Sequence, residues 1–327
     1  MKHVAKQIYQ EIGSAQHILL IPHPNPDGDT SGSVSSLISW LLPIGKKIST
    51  YCDTEVSPKF SYLPHFDLIK NDQSVFDDQT IDLVITCDSG DLGYAGVQTL
   101  LPKLKNDVPI INFDHHNTNT FFGKHNMVII GEASTTAVLY QFFYYNNIAI
   151  TRDIATALMT GIVTDTDHFT NAGTSKTSLK IASKLVEAGA HIDQIRNNIV
   201  KDKTIDGLKL WGTVLSKIKQ NKTLGLVYTI ISQKDINHHN ASESDVEGVA
   251  NFLNNLNEGK FAMILKEKKD NTVKGSFRTT ADDIDVSALA KLFGGGGHKK
   301  AAGFTIENPI EDAANFIIEK IELFLKK

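Results

Sequence analysis

Eight residues able to carry charge or bind a metal fall into four short clusters, each just beyond an apolar run. The first is HPNPDGDTSGS (23–33), which places His23, Asp27 and Asp29 two to four positions apart. Asp88 directly follows DLVITC; Asp114, His115 and His116 follow VPIINF; Asp165 follows a helix-like run ending GIVT. Five carboxylates and three imidazoles cannot share a dry cleft as bare charges, because like charges repel and are neutralised by shifted pKa values. Divalent cations resolve that repulsion. Mixed Asp and His donors without cysteine suit manganese or magnesium, with zinc or iron as further options, and exclude a thiolate site. One carboxylate shared by two ions about 3.5–4 Å apart is the arrangement used for in-line displacement at phosphorus.

Each cluster alone has an ordinary structural explanation. Pro, Asp and Gly form turns, so PDGD reads first as a turn. It is not an EF-hand loop, since Ile38 stands where the bidentate Glu would be required. Asp88 reads equally well as a helix cap or turn residue, and Asp167 is expected to cap a helix. A histidine pair after a strand is commonly a surface feature. What argues for one shared site is the independence of the four clusters, each placed at the end of a different element.

Those elements follow from the hydrophobic pattern. HILLIP (17–22), KKISTYC (46–52), DLVITC (82–87) and VPIINF (108–113) are short, β-branched and nearly uninterrupted, as strands buried on both faces are. Helix-like runs such as SGSVSSLISWLL, STTAVLYQFFYY and DIATALMTGIV follow or separate them. The alternation predicts an α/β fold with a doubly wound, mainly parallel sheet over 1–200, in which the carboxyl ends of adjacent strands converge on one edge. The period stays helical from Thr174 to about Lys219, and 201–223 is expected to be a helical linker. From 224 to 327 the pattern is that of a smaller α+β domain: LGLVYTII, a helix SDVEGVANFLNNL, strands KFAMILKEK and TVKGSFR with a hairpin at Asp270-Asn271, a helix VSALAKLF, the run GGGGH, a strand AAGFTI and a closing helix.

Composition bounds the partners. The 327 residues are 41% hydrophobic and 21% charged, enough for two cores and against global disorder. Lys plus Arg total 33 against 37 acidic residues, net −4, so no basic field gathers long nucleic acids and any anion must be gripped locally. Cys52 and Cys87 both lie in strand-like runs, as reduced core residues do, and the expected compartment is the cytoplasm. No signal-peptide core or membrane-length apolar run is found, so no membrane partner is expected.

Taken in order, the motifs resemble the DHH phosphoesterase superfamily, named after Asp114-His115-His116. The matching stretches are HPNPDGDTSGS, CDSGD (87–91), FDHHNTN (113–119), EASTTA (132–137) and GIVTDTDHF (161–169); GSFRT (275–279) and GGGGHKKAAGF (294–304) resemble the DHH-associated domain. The layout is most similar to the branch of bacterial oligoribonucleases (nanoRNases) and 3′-phosphoadenosine-5′-phosphate phosphatases. That resemblance implies two Mn2+ or other divalent ions, one held by His23 and Asp27, the other by Asp29, His115 and Asp165, with Asp88 between them. It implies that His116 faces the scissile phosphate and that Asp114 orients the histidine pair. Two departures bear on substrate preference: DSGDLGYAG lacks an arginine that relatives often carry after the Asp88 position, and DTDHF adds charge and an imidazole where a small residue commonly follows DT.

The second domain contributes a separate signal. Arg152, Arg196 and Arg278 are the only arginines among 33 basic residues. An arginine at a strand end beside a glycine run suggests a planar fork for phosphate, so Arg278 is the candidate. Gly294 to Gly297, with Gly295, Gly296 and Gly297 central, would let backbone N–H groups approach an anion, and His298 adds a donor. The resemblance implies that this arginine and histidine bind a terminal phosphate. A short cleft between the domains, closed at one end, would favour substrates of a few nucleotides. The expected reaction is release of 5′-mononucleotides from short RNA or DNA from the 5′ end, together with conversion of 3′-phosphoadenosine-5′-phosphate to AMP. Competing readings are a phosphodiesterase for cyclic di-AMP or pApA and a non-catalytic nucleotide sensor. A homodimer is neither required nor excluded by the pattern.

Overall fold

The computed structural model describes residues 1–325 apart from 106–107, 172, 201–203, 243, 247, 254–255 and 257, and of 200, 244, 251 and 298 it describes the backbone alone. The chain divides into two compact units, Met1–Asp202 and Lys203–Lys327.

In the first unit the uninterrupted apolar runs become fully covered strands. All six residues of β1 (His17–Pro22) are buried, as are all five of β3 (Leu83–Cys87). With β2 (Lys47–Thr50), β4 (Ile110–Asp114) and β5 (His125–Val128) they form a parallel sheet in the order β2-β1-β3-β4-β5. β5 was not expected from the sequence. Its four residues HNMV bury only Met127 and Val128 at the sheet's edge, too short an apolar signal to read. The chain leaves β1 toward β2 and then crosses back to β3, so the side on which successive strands are added reverses between β1 and β3. Loops at the carboxyl ends of those two strands therefore diverge and leave a crevice.

One face of the sheet is covered by α1 (Lys2–Ser14), α2 (Gly28–Leu41), α3 (Thr135–Tyr145), α4 (Arg152–Asp165) and α5 (Lys176–Glu187), whose apolar sides join Ile18, Leu20, Leu83, Ile85 and Phe113 in one core. The other face is covered by loop segments with short 3₁₀ turns, through Phe76, Ile81, Ala95, Val97 and Leu100. α2 and α4 cross closely, because Gly32 has no side chain: a Cβ there would lie 2.3 Å from the carbonyl oxygen of Ala157.

α4 ends at Asp165, and Asp167, His168 and Phe169 then turn through positive φ values of 47°, 60° and 64°. Asp167 does not cap a helix, contrary to expectation. Its N–H donates to the carbonyl of Thr164 at 3.1 Å, so it lies past a helix end, and α5 is capped by Ser175 in a reciprocal pair with Ser178. A short helix α6 (Ile192–Ile195) follows.

The second unit holds α7 (Ile205–Ser216), β6 (Lys219–Asn221), β7 (Leu226–Ile231), α8 (Gln233–His238), α9 (Val249–Leu253), β8 (Phe261–Glu267), β9 (Val273–Arg278), α10 (Val286–Lys291), β10 (Gly296–His298), β11 (Ala301–Ile306) and α11 (Ile310–Leu325). Its mixed sheet runs β10-β11-β9-β8-β7-β6, with β7 and β8 parallel and the other pairs antiparallel. The expected hairpin is present, with Asn271 at φ 62° between β8 and β9. The expected linker over 201–223 is corrected: 201–203 lie outside the described residues, while α7 buries Leu210 and Val214 against Ile231, Ile236, Ala262 and Ile264, and β6 pairs with β7. A period-four apolar face announces a helix but not the surface it packs on. No helix among the described residues is long and apolar enough to cross a membrane.

Replacing Gly32 with alanine forces a methyl group into the backbone of α4. The expected loss is ~1–3 kcal/mol by overpacking, read as a lower urea midpoint with an unchanged slope; an unaltered midpoint would show that α2 and α4 separate freely.

Candidate metal centre

Asp88 stands just past β3, at the reversal point of the sheet. Its φ of 60° is left-handed, which an aspartate tolerates better than most residues, and the residue is 3% exposed. The sharp turn directs the carboxylate back over the ends of the neighbouring strands. Oδ2 lies 3.4 Å from Nε2 of His23, beyond β1, while Oδ1 lies 3.6 Å from Nε2 of His115 and 3.5 Å from Nδ1 of His116, beyond β4. Asp27 begins α2 as its N-cap, accepting from the N–H groups of Asp29 and Thr30 at 3.0 Å each, and its Oδ1 is 4.0 Å from His23 Nε2. One residue thus both forms the entry turn of α2 and stands within reach of His23.

Three groups of donors result, in each of which the ligand atoms lie within 4.8 Å of one another: His23, Asp27 and Asp88; Asp29, His115 and Asp165; and Asp88, His115 and His116. The structure therefore brings together the six residues expected as ligands, and Asp88 belongs to two of the groups. Asp114 is outside all three. It is fully buried, and its Oδ1 accepts from the N–H of His115 at 2.7 Å, the N–H of His116 at 3.2 Å and Nδ1 of His116 at 2.7 Å, while Oδ2 accepts from Asn119 at 2.6 Å. It braces the histidine pair from behind.

Two of the three histidines that face the cluster are aimed by a bond on the other nitrogen. His23 Nδ1 donates to the carbonyl of Pro24 at 2.8 Å and His115 Nδ1 to that of Glu132 at 3.1 Å, turning both Nε2 atoms inward. His115 Nε2 is buried without a hydrogen-bond partner, 3.4 Å from Asp165. A buried imidazole nitrogen left without a partner is costly unless something else satisfies it. With carboxylates on two sides, a divalent cation fits that position, and the oxygen and nitrogen donor set fits manganese or magnesium.

Electrostatics record the crowding. Burial and the nearby Asp88 charge push Asp29 up to about 7. Burial and the carboxylates of Asp29, Asp27 and Asp88 hold Asp165 well above the usual range. Burial opposes ionisation of Asp88 as well, but His23, His115 and His116 outweigh it and draw its pKa below that of an ordinary aspartate. Burial would lower His23, yet Asp88 and Asp27 raise it to about 9; His116 is raised to about 8 against burial by Asp114 and Asp88.

The reading from sequence missed the groups that hold the carboxylates in place. Thr30 and Thr135 donate their hydroxyls to the two oxygens of Asp88, at 2.8 and 2.9 Å. Asp29 accepts from the N–H of Thr135 at 2.6 Å and from the N–H and hydroxyl of Thr136 at 2.8 and 2.7 Å. The available signal was Ser134-Thr135-Thr136 at a helix start, where free N–H groups face anions. Tyr94, in the run that lacks the arginine, is 57% exposed and sets its ring 5.4 Å from that of His23.

The substrate candidates of the second unit are arranged by β-pairing. Ala301 of β11 pairs with both Arg278 of β9 and His298 of β10, so the backbones of Arg278 and His298 share one cross-strand row. Arg278 is mostly buried, donates Nη1 to the carbonyl of Phe277 at 2.9 Å, and has its pKa lowered by that burial. The side chain of His298 lies outside what is described. The end of the glycine run forms a strand, β10 (Gly296–His298), at the sheet edge, and Gly294 and Gly295 precede it.

Two domain matches identify the class: the chain belongs to the DHH family, with a DHH family N-terminal domain over residues 17–162 and a DHHA1 domain over 222–327. It is a DHH phosphoesterase, a hydrolase. Relatives of similar length include the "bifunctional oligoribonuclease and PAP phosphatase NrnA" of Thermus thermophilus, 27% identical over 93% of this chain and 89% of the relative. The Bacillus subtilis protein of the same name is 22% identical over 98% of each chain. An exopolyphosphatase-related protein from Bacteroides fragilis shares the fold, with a TM-score of 0.89 at 21% identity over 100% of this chain and 98% of that one.

Raised pKa values mean that the folded, metal-free protein keeps protons that the unfolded chain releases. For Asp29, raised from 3.8 to about 7, this stability is lost as pH rises through the folded value; His23 and His116, raised from 6.5 to about 9 and about 8, extend the loss upward. The thermal midpoint of metal-stripped protein should fall between roughly pH 5 and 9, and added Mn2+ should lessen the fall by displacing the protons on Asp29 and His23. A stripped protein that gains stability over that interval would contradict the described electrostatics.

Proposed function

We propose that this phosphoesterase acts on short nucleic-acid ends: it releases 5′-mononucleotides from oligonucleotides a few units long, starting at the 5′ end, and removes the 3′-phosphate of 3′-phosphoadenosine-5′-phosphate. The observation that carries the reading is the pairing of Asp88, common to two donor groups, with the buried and unpartnered Nε2 of His115. The full-length relatives named for both activities support the substrate class.

His23, Asp27 and Asp88 would hold one ion, and Asp29, His115, Asp165 and Asp88 a second; Mn2+ is the proposed occupant. When bound, such ions make a water nucleophilic and neutralise charge gathering on the phosphate oxygens. The chain's own contribution is orientation and proton placement. Asp114 holds His116 by Nδ1 and so leaves its Nε2 to face a phosphate oxygen from the rim of the site. Asp88 and Asp29 are buried among hydroxyls and N–H groups, so the anionic side chains do not swing when the phosphate enters.

Arg278 and the β10 backbone would hold the substrate's terminal phosphate. Of the glycines, Gly295 is required by packing, since a Cβ would meet the Gly303 carbonyl at 2.2 Å, and Gly297 likewise, at 2.6 Å from the Ala301 carbonyl. Gly296 has no such reason: a Cβ there would meet nothing within 4 Å. Close approach of a ligand explains its missing side chain.

Purified protein with Mn2+ should release mononucleotides from a 5′-phosphorylated RNA trimer and from pApA, form AMP from the bisphosphate, and leave a 24-nucleotide strand little touched. Rapid digestion of the long strand would replace this reading with that of a general exonuclease. Asp88→Asn should keep the native circular dichroism spectrum and lose at least ~100-fold in turnover, more than supporting residues of metal sites contribute; unchanged turnover would remove Asp88 from the catalytic machinery, and a wild-type protein that binds these substrates without turnover would be a non-catalytic sensor. Arg278→Lys should raise KM for the 5′-phosphorylated trimer by ~10–100-fold and spare a 5′-hydroxyl trimer, because a planar fork is replaced by a point charge. Gly296→Ala should do the same without lowering the thermal midpoint, whereas equal effects on both trimers would remove the phosphate-anchor role.

A further inference from the structure

Resting on the two-ion reading of the centre, we propose that Thr135 is a positioning residue that couples the two ion sites, holding the shared carboxylate and a carboxylate of the second site in one fixed relation. A carboxylate that serves two ions must offer one lone pair on each oxygen in a set direction. The remaining lone pair on each oxygen then decides whether the carboxylate stays in that plane or rotates toward one ion. In this protein both are taken: Thr30 Oγ1 donates to Asp88 Oδ2 at 2.8 Å, and Thr135 Oγ1 donates to Asp88 Oδ1 at 2.9 Å. Oδ2 is the oxygen facing His23, and Oδ1 is the one facing His115.

The two threonines are not equivalent. Thr30 touches Asp88 from the first turn of α2, the element that also carries Asp27 and Asp29. Thr135 starts α3 and makes two contacts at once, its hydroxyl on Asp88 and its N–H on Asp29 Oδ2 at 2.6 Å. Thr136 completes the hold on Asp29 Oδ1 with its own N–H and hydroxyl. All four residues, Asp29, Thr30, Thr135 and Thr136, are 0% exposed, so water cannot substitute for a lost donor. The site is also closed against adjustment: a Cβ on Gly161 would lie 2.3 Å from Thr136 Oγ1 and 2.5 Å from Asp29 Oδ1, so α4 presses α3 and Asp29 together. Removing the Thr135 hydroxyl leaves its N–H on Asp29 intact but frees Oδ1 of Asp88. Asp88 then leans toward the His23 site, and the second ion loses its shared ligand in the proper orientation.

The test uses full-length protein carrying Thr135→Val, Thr135→Ser or Thr30→Val, with Mn2+ as the probe. Titration calorimetry reads the two binding events, and electron paramagnetic resonance reads the fraction of bound Mn2+ that is spin-coupled to a neighbour. Thr135→Val is expected to weaken the second event by about 10–100-fold, the range for residues that orient metal ligands, and to replace the coupled signal by that of isolated Mn2+. Thr135→Ser, which keeps the hydroxyl, should restore both. Thr30→Val should weaken the first event instead. A Thr135→Val protein with wild-type affinities and a fully coupled signal overturns the proposal while leaving the two-ion reading intact. Wild-type protein that takes up only one Mn2+ overturns both. A Val variant that fails to fold shifts the decision to Thr135→Ser against wild type, where equal coupling is required.

Discussion

The structure of the first unit is organised around a single charge that has to be buried. Asp88 is nearly inaccessible, and a lone carboxylate at that depth would cost several kcal/mol or take up a proton. It is kept ionised by three imidazoles and two threonine hydroxyls from four segments: the loop after β1, the first turn of α2, the loop after β4, which supplies two of the imidazoles, and the first turn of α3. No two of these segments are close in sequence except the first pair. Their convergence is the reason that the sheet order, the helix crossing and the strained φ at Asp88 must all be right together.

The helices serve the same end. A first-turn N–H group of α3 that would otherwise need solvent is spent on Asp29, so the burial of one carboxylate and the capping of one helix are solved by the same bonds. Close packing of α2 and α4 then excludes water from the back of the cluster, where Gly32 and Gly161 have no room for a methyl group. Small residues here are the cost of bringing charged side chains near one another without solvent between them.

The second unit uses β-register in place of buried charge. Pairing of Ala301 with both Arg278 and His298 aligns a strand-end guanidinium with an edge strand rich in glycine. Gly295 and Gly297 are explained by the approach of β11, and Gly296 is not, which separates what the fold requires from what a ligand would require.

The centre was legible in the sequence because metal chemistry constrains residue type: His23, Asp27, Asp29, Asp88, His115 and Asp165 are each a donor placed just after an apolar run, and a donor at an element's end is visible without coordinates. The strands were legible for the same reason that they are buried, namely uninterrupted β-branched runs, whereas β5 and β10 were not, since short edge strands bury too little to leave a pattern. Asp167 was misread as a cap because sequence cannot tell the residue after one helix from the residue before the next. Thr30, Thr135 and the unpartnered Nε2 of His115 became visible only in three dimensions. Threonine has many uses, and only the distances show which one applies. Sequence alone determined which atoms are available to hold ions and phosphate; tertiary structure decided which of them meet, because direction and burial come from the packing of segments far apart in the chain.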